Sequence, residues 1–261
     1  MMTGSIHPTA IVSSDASIAR DVTVGPYSII GPGVIIGAGT TVGPHTRIEG
    51  PTKIGERNQF VGQSSLGTPP QDIKFKGERT ELVIGNDNVF REFITVNRGT
   101  LGGGAITTIG SHNFFMAYAH VAHDCHVGSN TIFANNATLA GHVDVGDFST
   151  VGAFSAVHQF CRVGDHAFIG GGTIATQDVL PFVKTVGSRP AKTYGINTIG
   201  LERKGFSRDT IEALQRAYRL LIRSKLKLEE ALTRIETELG FHSEVRYFAE
   251  FVRGSKRGIV R

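Results

Sequence analysis

Residues 18–48 read IARDVTVGPYSIIGPGVIIGAGTTVGPHTRI. Every sixth residue of this stretch is aliphatic, and the series extends both ways as Ile6, Val12, Ile18, Val24, Ile30, Ile36, Val42, Ile48, Ile54 and Phe60. It resumes at Ile84, Phe90 and Val96, slips by one, and continues through Ile109, Phe115, Val121, Val127, Phe133, Leu139, Val145, Val151, Val157, Val163 and Ile169. Six is neither a helical period nor the two-residue alternation of a flat strand. A chain that makes a short strand, turns and repeats every six residues is a parallel β-solenoid, with the anchors facing inward and stacking between coils. Each buried anchor contributes roughly 1.5–3 kcal/mol, so these columns suffice as a core without a large aromatic centre.

The same period accounts for the composition. The 261 residues include 33 glycines, about twice the usual share, and glycine commonly follows the anchor, as at Gly25, Gly37, Gly43, Gly128 and Gly152. These glycines are expected at tight corners, where positive φ or close backbone approach is needed. Cys125 and Cys161 both occupy the small position before an anchor and read as buried thiols; their spacing is not a zinc pattern. GPGVIIG (31–37) and GAGTTVG (37–43) imitate phosphate loops but lie on the six-residue phase with no following helix.

Two stretches leave the period, 61–83 and 97–108, and loops of this length are often functional. From residue 190 helical spacing takes over: Ile211, Leu214, Tyr218, Leu221 and Ile222 behind the N-cap Ser207, then Leu228, Leu232, Ile235 and Leu239 closed by Gly240, then Val245, Phe248 and Val252. The expected organisation is therefore a solenoid over 1–189 and a helical domain over 190–261 that covers the last coil. Residues 189–261 hold 16 Lys/Arg against 9 Asp/Glu, in a chain of net charge +4. That basic end is a candidate docking surface for an acidic partner, the alternative being a solvated helical face. No apolar run is long enough to span a membrane and no signal-peptide pattern opens the chain, so a cytoplasmic protein is expected, with no sign of nucleic-acid binding.

Six of the ten histidines lie between 120 and 166. If three hexads close one coil, residues 18 apart lie over one another, ~4.8 Å apart. His123, Gly141 and Gln159 then form one column, and Asp124, His142 and Phe160 the next, all off the anchor positions and facing outward. A histidine near its reference pKa of ~6.5 beside a carboxylate suits general-base chemistry, and a glycine backbone N–H suits an oxyanion. Adjacent residues of a strand point apart, so His123 and Asp124 meet only if a corner turns them together. Histidine-rich stretches also bind metals, and a zinc-dependent carbonic anhydrase-like solenoid is a competing reading. HVAHDCH (120–126) lacks that class's ligand spacing, and no metal or other cofactor is expected.

HVAHDCHVG (120–128), NNATLAGHV (135–143), AVHQFC (156–161), QDIK (71–74), NRGT (97–100), GLERKGFSR (200–208) and RGIVR (257–261) together closely resemble the UDP-N-acetylglucosamine O-acyltransferases of lipid A biosynthesis. The resemblance implies a left-handed parallel β-helix with a helical C-terminal domain, a homotrimer with active sites between subunits, and transfer of a 3-hydroxyacyl group from acyl carrier protein to the glucosamine 3-hydroxyl of UDP-N-acetylglucosamine. It implies His123 as general base, Asp124 as its orienting carboxylate and the Gly141 N–H as oxyanion donor. It further implies substrate contacts at Gln71, Asp72, Lys74, His120, His142, His158, Gln159, Asn197, Arg203 and Lys204, and an acyl-length position at Gly171. The pathway's N-acyltransferase is the nearer alternative; the hexads starting at Ile6 and the AHVAHD context favour the O-acyltransferase.

Overall fold

The structure, a computed structural model, describes residues 4–261. The chain winds into a left-handed parallel β-helix whose short strands line up as three sheets of nine, eight and ten strands. One coil shows the rule: His120–Val121 lies in the first sheet, His126–Val127 in the second and Ile132–Phe133 in the third, before Thr138–Leu139 returns to pair with His120–Val121. Equivalent residues of regular coils are 18 apart, as in the Asn113–Thr131 hydrogen bond. From Thr23–Val24 onward, the anchor of each two-residue strand is buried and its neighbour is the more exposed of the pair. The core does contain an aromatic column, contrary to expectation: Phe60, Phe90, Phe115 and Phe133 stack with ring centroids 4.7–4.8 Å apart.

The corners are built differently from the sequence expectation. The left-handed residue falls three places after the anchor and is usually not glycine: Tyr27, His45, Arg57, Asp87, Tyr118, Asp124, His142, Phe148 and His166 all have φ between 53° and 66°. The post-anchor glycines serve close approach instead. At Gly43, whose φ is not positive, an added Cβ would lie 2.1 Å from the Val61 carbonyl oxygen of the next coil.

The two departures from the period are narrower than expected. Ser65–Thr68 and Glu81–Ile84 are strands in register, with Leu66 over Ile48 and Ile84 over Ile54, so the first loop leaves the coil only between them. The second leaves between Thr95–Asn97 and Ile106–Ile109. Both emerge where the chain passes from the first sheet to the second, along one edge of the prism.

The final strand, Lys192–Ile196, runs antiparallel to Val183–Val186 and extends the third sheet, so residues 192–196 belong to the sheet. Helices α1 (Thr198–Arg203), α2 (Arg208–Tyr218), α3 (Leu228–Leu239) and α4 (Ser243–Arg253) follow. Ser207 caps α2 as expected, accepting from the Thr210 N–H at 3.1 Å. Leu214, Leu232, Ile235 and Phe248 pack with Leu180, Phe182 and Val183 into a second core over the open end. The C-terminal segment then returns to the prism, where the Val260 N–H donates to the Asp178 carbonyl oxygen and the Val260 side chain joins the solenoid core.

Candidate active site

On the edge between the first and second sheets, Asp124 occupies a left-handed corner with φ 58°. The corner ends the strand alternation and brings Asp124 alongside its neighbour, so that His123 Nδ1 lies 2.7 Å from Asp124 Oδ2. With Nδ1–H donating to the carboxylate, Nε2 carries the lone pair. His142, at the same corner one coil on, puts Nε2 3.7 Å from that oxygen and meets the His123 ring edge-on. The Asp124 side chain is fully buried. Its Oδ1 accepts from the Thr100 N–H at 2.7 Å and its Oδ2 from the Thr100 hydroxyl at 2.6 Å, both from the second loop.

Gly141 lies against the free edge of the His123 ring: an added Cβ would sit 2.6 Å from Cε1 and 2.9 Å from Nε2. Its backbone N–H has no protein acceptor among the described residues. A base nitrogen and an unengaged N–H donor thus share one small space. Burial, reinforced by the nearby His123, holds the His120 imidazole below its ordinary pKa, and its Nδ1 contacts Thr95 Oγ1 at 2.7 Å. Burial likewise lowers His142, against an opposing pull from Asp124. His123, Asp124 and His142 form the one group of three histidine and carboxylate donors within 4.8 Å of one another among the described residues. Hydrogen bonds from Thr100 and His123 already use both oxygens of its carboxylate, and the group is not the three-histidine set of a carbonic anhydrase.

Residues 178–260 match the family profile described as UDP N-acetylglucosamine O-acyltransferase, domain 2, and residues 15–50 and 106–141 match bacterial transferase hexapeptide repeats. The chain is 51% identical over 256 residues to the acyl-[acyl-carrier-protein]–UDP-N-acetylglucosamine O-acyltransferase of Syntrophobacter fumaroxidans, covering 98% of this chain and 99% of that one. It is 52% identical to the Myxococcus xanthus enzyme with the same coverage. The crystal structure of UDP-N-acetylglucosamine O-acyltransferase from Moraxella catarrhalis superposes with a TM-score of 0.95 at 42% identity, over 98% of this chain and 99% of that one. The chain belongs to the UDP-N-acetylglucosamine O-acyltransferase family.

In this family member the residues singled out from sequence fall on three different edges of the prism. His120, His158, Gln159, Gly141 and the first loop, with Gln71, Asp72 and Lys74, accompany His123 on the first edge. Asp72 lies near enough to His142 to oppose the fall in its pKa. Asn197, Arg203 and Lys204 line a separate pocket of about 590 Å³ on the second edge. There Asn197 Nδ2 donates to the His166 carbonyl oxygen and the Lys204 ammonium lies 4.9 Å from the Phe148 ring centroid. Burial, with Lys204 adding to it, lowers the His166 imidazole. Gly171 is on the third edge, exposed, and an added Cβ there meets nothing nearer than 3.3 Å. Its φ is not left-handed, unlike that of Gly172, so no turn requires a glycine at 171.

Sequence reasoning missed Thr100, Gly103 and Thr107, which surround Asp124. NRGT marks the first of them as part of a motif, but no periodic signal tells where an inserted loop folds back. Both cysteines are buried and unpaired as expected, and burial pushes the Cys125 thiol up to about 12.

The lowered histidines have a consequence for pH. As the pH falls below the ordinary 6.5, the unfolded chain takes up protons at these two positions before the folded protein does, so native stability declines through that range. Histidine-selective NMR titration should place the midpoints of His120 and His142 below 6.5; midpoints at or above that value contradict the burial seen at this edge.

Proposed function

We propose that the protein transfers a 3-hydroxyacyl group from acyl carrier protein to the glucosamine 3-hydroxyl of UDP-N-acetylglucosamine, the first acylation toward lipid A. The reading rests on one observation above the others: His123, bonded to Asp124 through Nδ1, presents Nε2 beside the Gly141 backbone. Nε2 takes the proton of the sugar 3-hydroxyl, and the oxygen attacks the thioester carbonyl. The tetrahedral oxyanion accepts a hydrogen bond from the Gly141 N–H. Its collapse expels the carrier thiolate, which recovers the proton from the His123 imidazolium while Asp124 stabilises that cation. The chemistry needs a base, an oxyanion donor and two oriented substrates, and calls on no cofactor.

His120, His142, His158, Gln159, Gln71, Asp72 and Lys74 hold the sugar nucleotide at this edge in our reading. Asn197, Arg203 and Lys204 are assigned to the nucleotide end, where cations suit a diphosphate. Their place on another edge favours a homotrimer in which one subunit's pocket faces its neighbour's His123. The exposed Gly171 leaves an acyl groove open for a longer chain. Arg216, Arg219, Arg223 and Arg234 line a cleft beside α2 and α3 together with Glu238, which pairs with Arg216 and Arg234; the balance is still basic, and we assign the acidic carrier protein to this surface. No helix among the described residues is long and apolar enough to cross a membrane, and water-soluble nucleotide and carrier substrates suit a cytoplasmic reaction.

Offering the purified protein UDP-N-acetylglucosamine and its 3-amino analogue with carrier thioesters of several lengths, read by mass spectrometry, tests acceptor and donor together. His123→Ala should lower turnover at least ~100-fold, the scale of general-base catalysis, with the assembly intact; near-normal turnover removes the proposed base. For the carrier, KM should rise steadily as salt is raised through ~0.1–0.5 M, where screening shortens to a few ångströms. A KM indifferent to ionic strength contradicts the basic docking surface.

A further inference from the structure

Asp124 faces two histidines, with Oδ2 2.7 Å from His123 Nδ1 and 3.7 Å from His142 Nε2. A buried carboxylate free to rotate could serve either. Thr100 removes that freedom by gripping both oxygens, its N–H on Oδ1 and its hydroxyl on Oδ2. The grip is itself held. The Gly103 and Ala105 N–H groups donate to the Thr100 carbonyl oxygen at 3.0 and 2.8 Å, closing a turn around it. Gly103 rests on the carboxylate so closely that a Cβ there would lie 2.1 Å from Asp124 Cγ. Upstream, Asn97 Nδ2 donates to the Pro69 carbonyl oxygen and Arg98 Nη1 to that of Gly67, at 2.9 and 2.8 Å. From below, the Asp124 N–H donates to Thr107 Oγ1 at 2.8 Å, fixing the corner.

We infer that Thr100 is a positioning residue for the reaction: its backbone N–H, by holding Oδ1, aims Asp124 at His123, and its hydroxyl, by sharing Oδ2, sets how strongly the carboxylate supports the imidazolium. The inference rests on His123 being the base. A donor on Oδ2 drains charge from the oxygen that His123 uses. Without that hydroxyl, Oδ2 serves His123 alone while the Thr100 backbone N–H still holds Oδ1. The imidazolium is then better stabilised, and the pH at which Nε2 becomes free rises. The other ionisable groups around the pair are His120 on the adjoining strand, His142 and His126, Asp72 from the first loop, Asp144, and the Cys125 thiol. A change at Thr100 alters none of them chemically.

The test compares Thr100→Val, Thr100→Ser and His123→Ala in the full-length protein, measuring kcat and KM for UDP-N-acetylglucosamine against pH, together with histidine-selective NMR titration of His123. Thr100→Val should raise the acid-limb midpoint of kcat/KM and the His123 titration midpoint together, by about half to one pH unit. At pH 7, kcat should fall by up to ~3- to 10-fold, the loss that such a shift allows, with KM within ~2-fold. Thr100→Ser, which restores the hydroxyl, should return both midpoints. Midpoints unmoved in Thr100→Val overturn the inference even if activity falls, because a purely structural role lowers activity without moving a titration. If valine crowds the loop and the variant does not assemble, Thr100→Ala against Thr100→Ser gives the same comparison, with unmoved midpoints again the overturning result. Near-normal turnover by His123→Ala overturns the base assignment beneath the inference, an outcome distinct from failure at Thr100.

Discussion

A coil of 18 residues closes only by turning three times, and at most corners the turn falls on the third residue after an inward anchor, in the left-handed conformation. The site depends on this constraint. For a residue other than glycine the left-handed state costs roughly 1–2 kcal/mol, and the protein accepts it at corner after corner because the flanking anchors and interstrand hydrogen bonds leave no other path. At one edge the constrained residues are Asp124 and His142. A corner that would otherwise be only a bend thus turns a carboxylate toward the histidine before it in sequence and stacks a second histidine within 3.7 Å of the same oxygen. The His123–Asp124 geometry is a by-product of coil closure, refined by what lies on top of it.

The refinement comes from interruption. Both insertions leave the prism at the edge that carries His123, and the second folds back to cover Asp124 with Thr100 and Gly103. A regular solenoid would leave the corner carboxylate wet and free to turn. The insertion makes it dry, oriented and directed at one imidazole. The helical end has a parallel role at the second edge, where Asn197 and Lys204 fasten onto the corner residues His166 and Phe148 and form a cationic pocket. One chain therefore presents the proposed base on one edge, cations on a second and an exposed glycine on a third. Rigid coils cannot fold these edges together, which is why the proposed function joins them through copies placed side by side.

Much of this was legible in the sequence. The anchors from Ile6 to Ile169 dictate a six-residue solenoid, and once three hexads are assumed per coil, as in known hexapeptide solenoids, the 18-residue columns put Gly141 against His123 and His142 beside Asp124, as the structure has them. Periodicity is silent on which residues take the strained corners, so it leaves the His123–Asp124 bond open and does not separate the two uses of glycine: the post-anchor glycines serve close approach, while the positive φ falls to Tyr27, His45 and Asp124. The loop beginning at 61 absorbed Leu66, an anchor still in phase, because the next beat at Asp72 is polar. Thr100 escaped notice because its role depends on how a loop folds back, a matter of hydrogen bonds between distant segments rather than of spacing. Lys192–Ile196 looked like the approach to a helix, but its backbone instead completes the exposed edge of Val183–Val186.

In the proposed function, His123 of one subunit works with the cationic pocket of another. Co-expression of a His123→Ala chain with an Arg203→Ala chain, with mixed assemblies isolated and their composition checked by native mass spectrometry, tests it most directly. Each variant alone is expected to be severely impaired, and the mixed assemblies should regain acyl transfer because some interfaces pair an intact His123 with an intact Arg203. Mixed assemblies no more active than the separate variants would contradict the account and confine the site to a single chain.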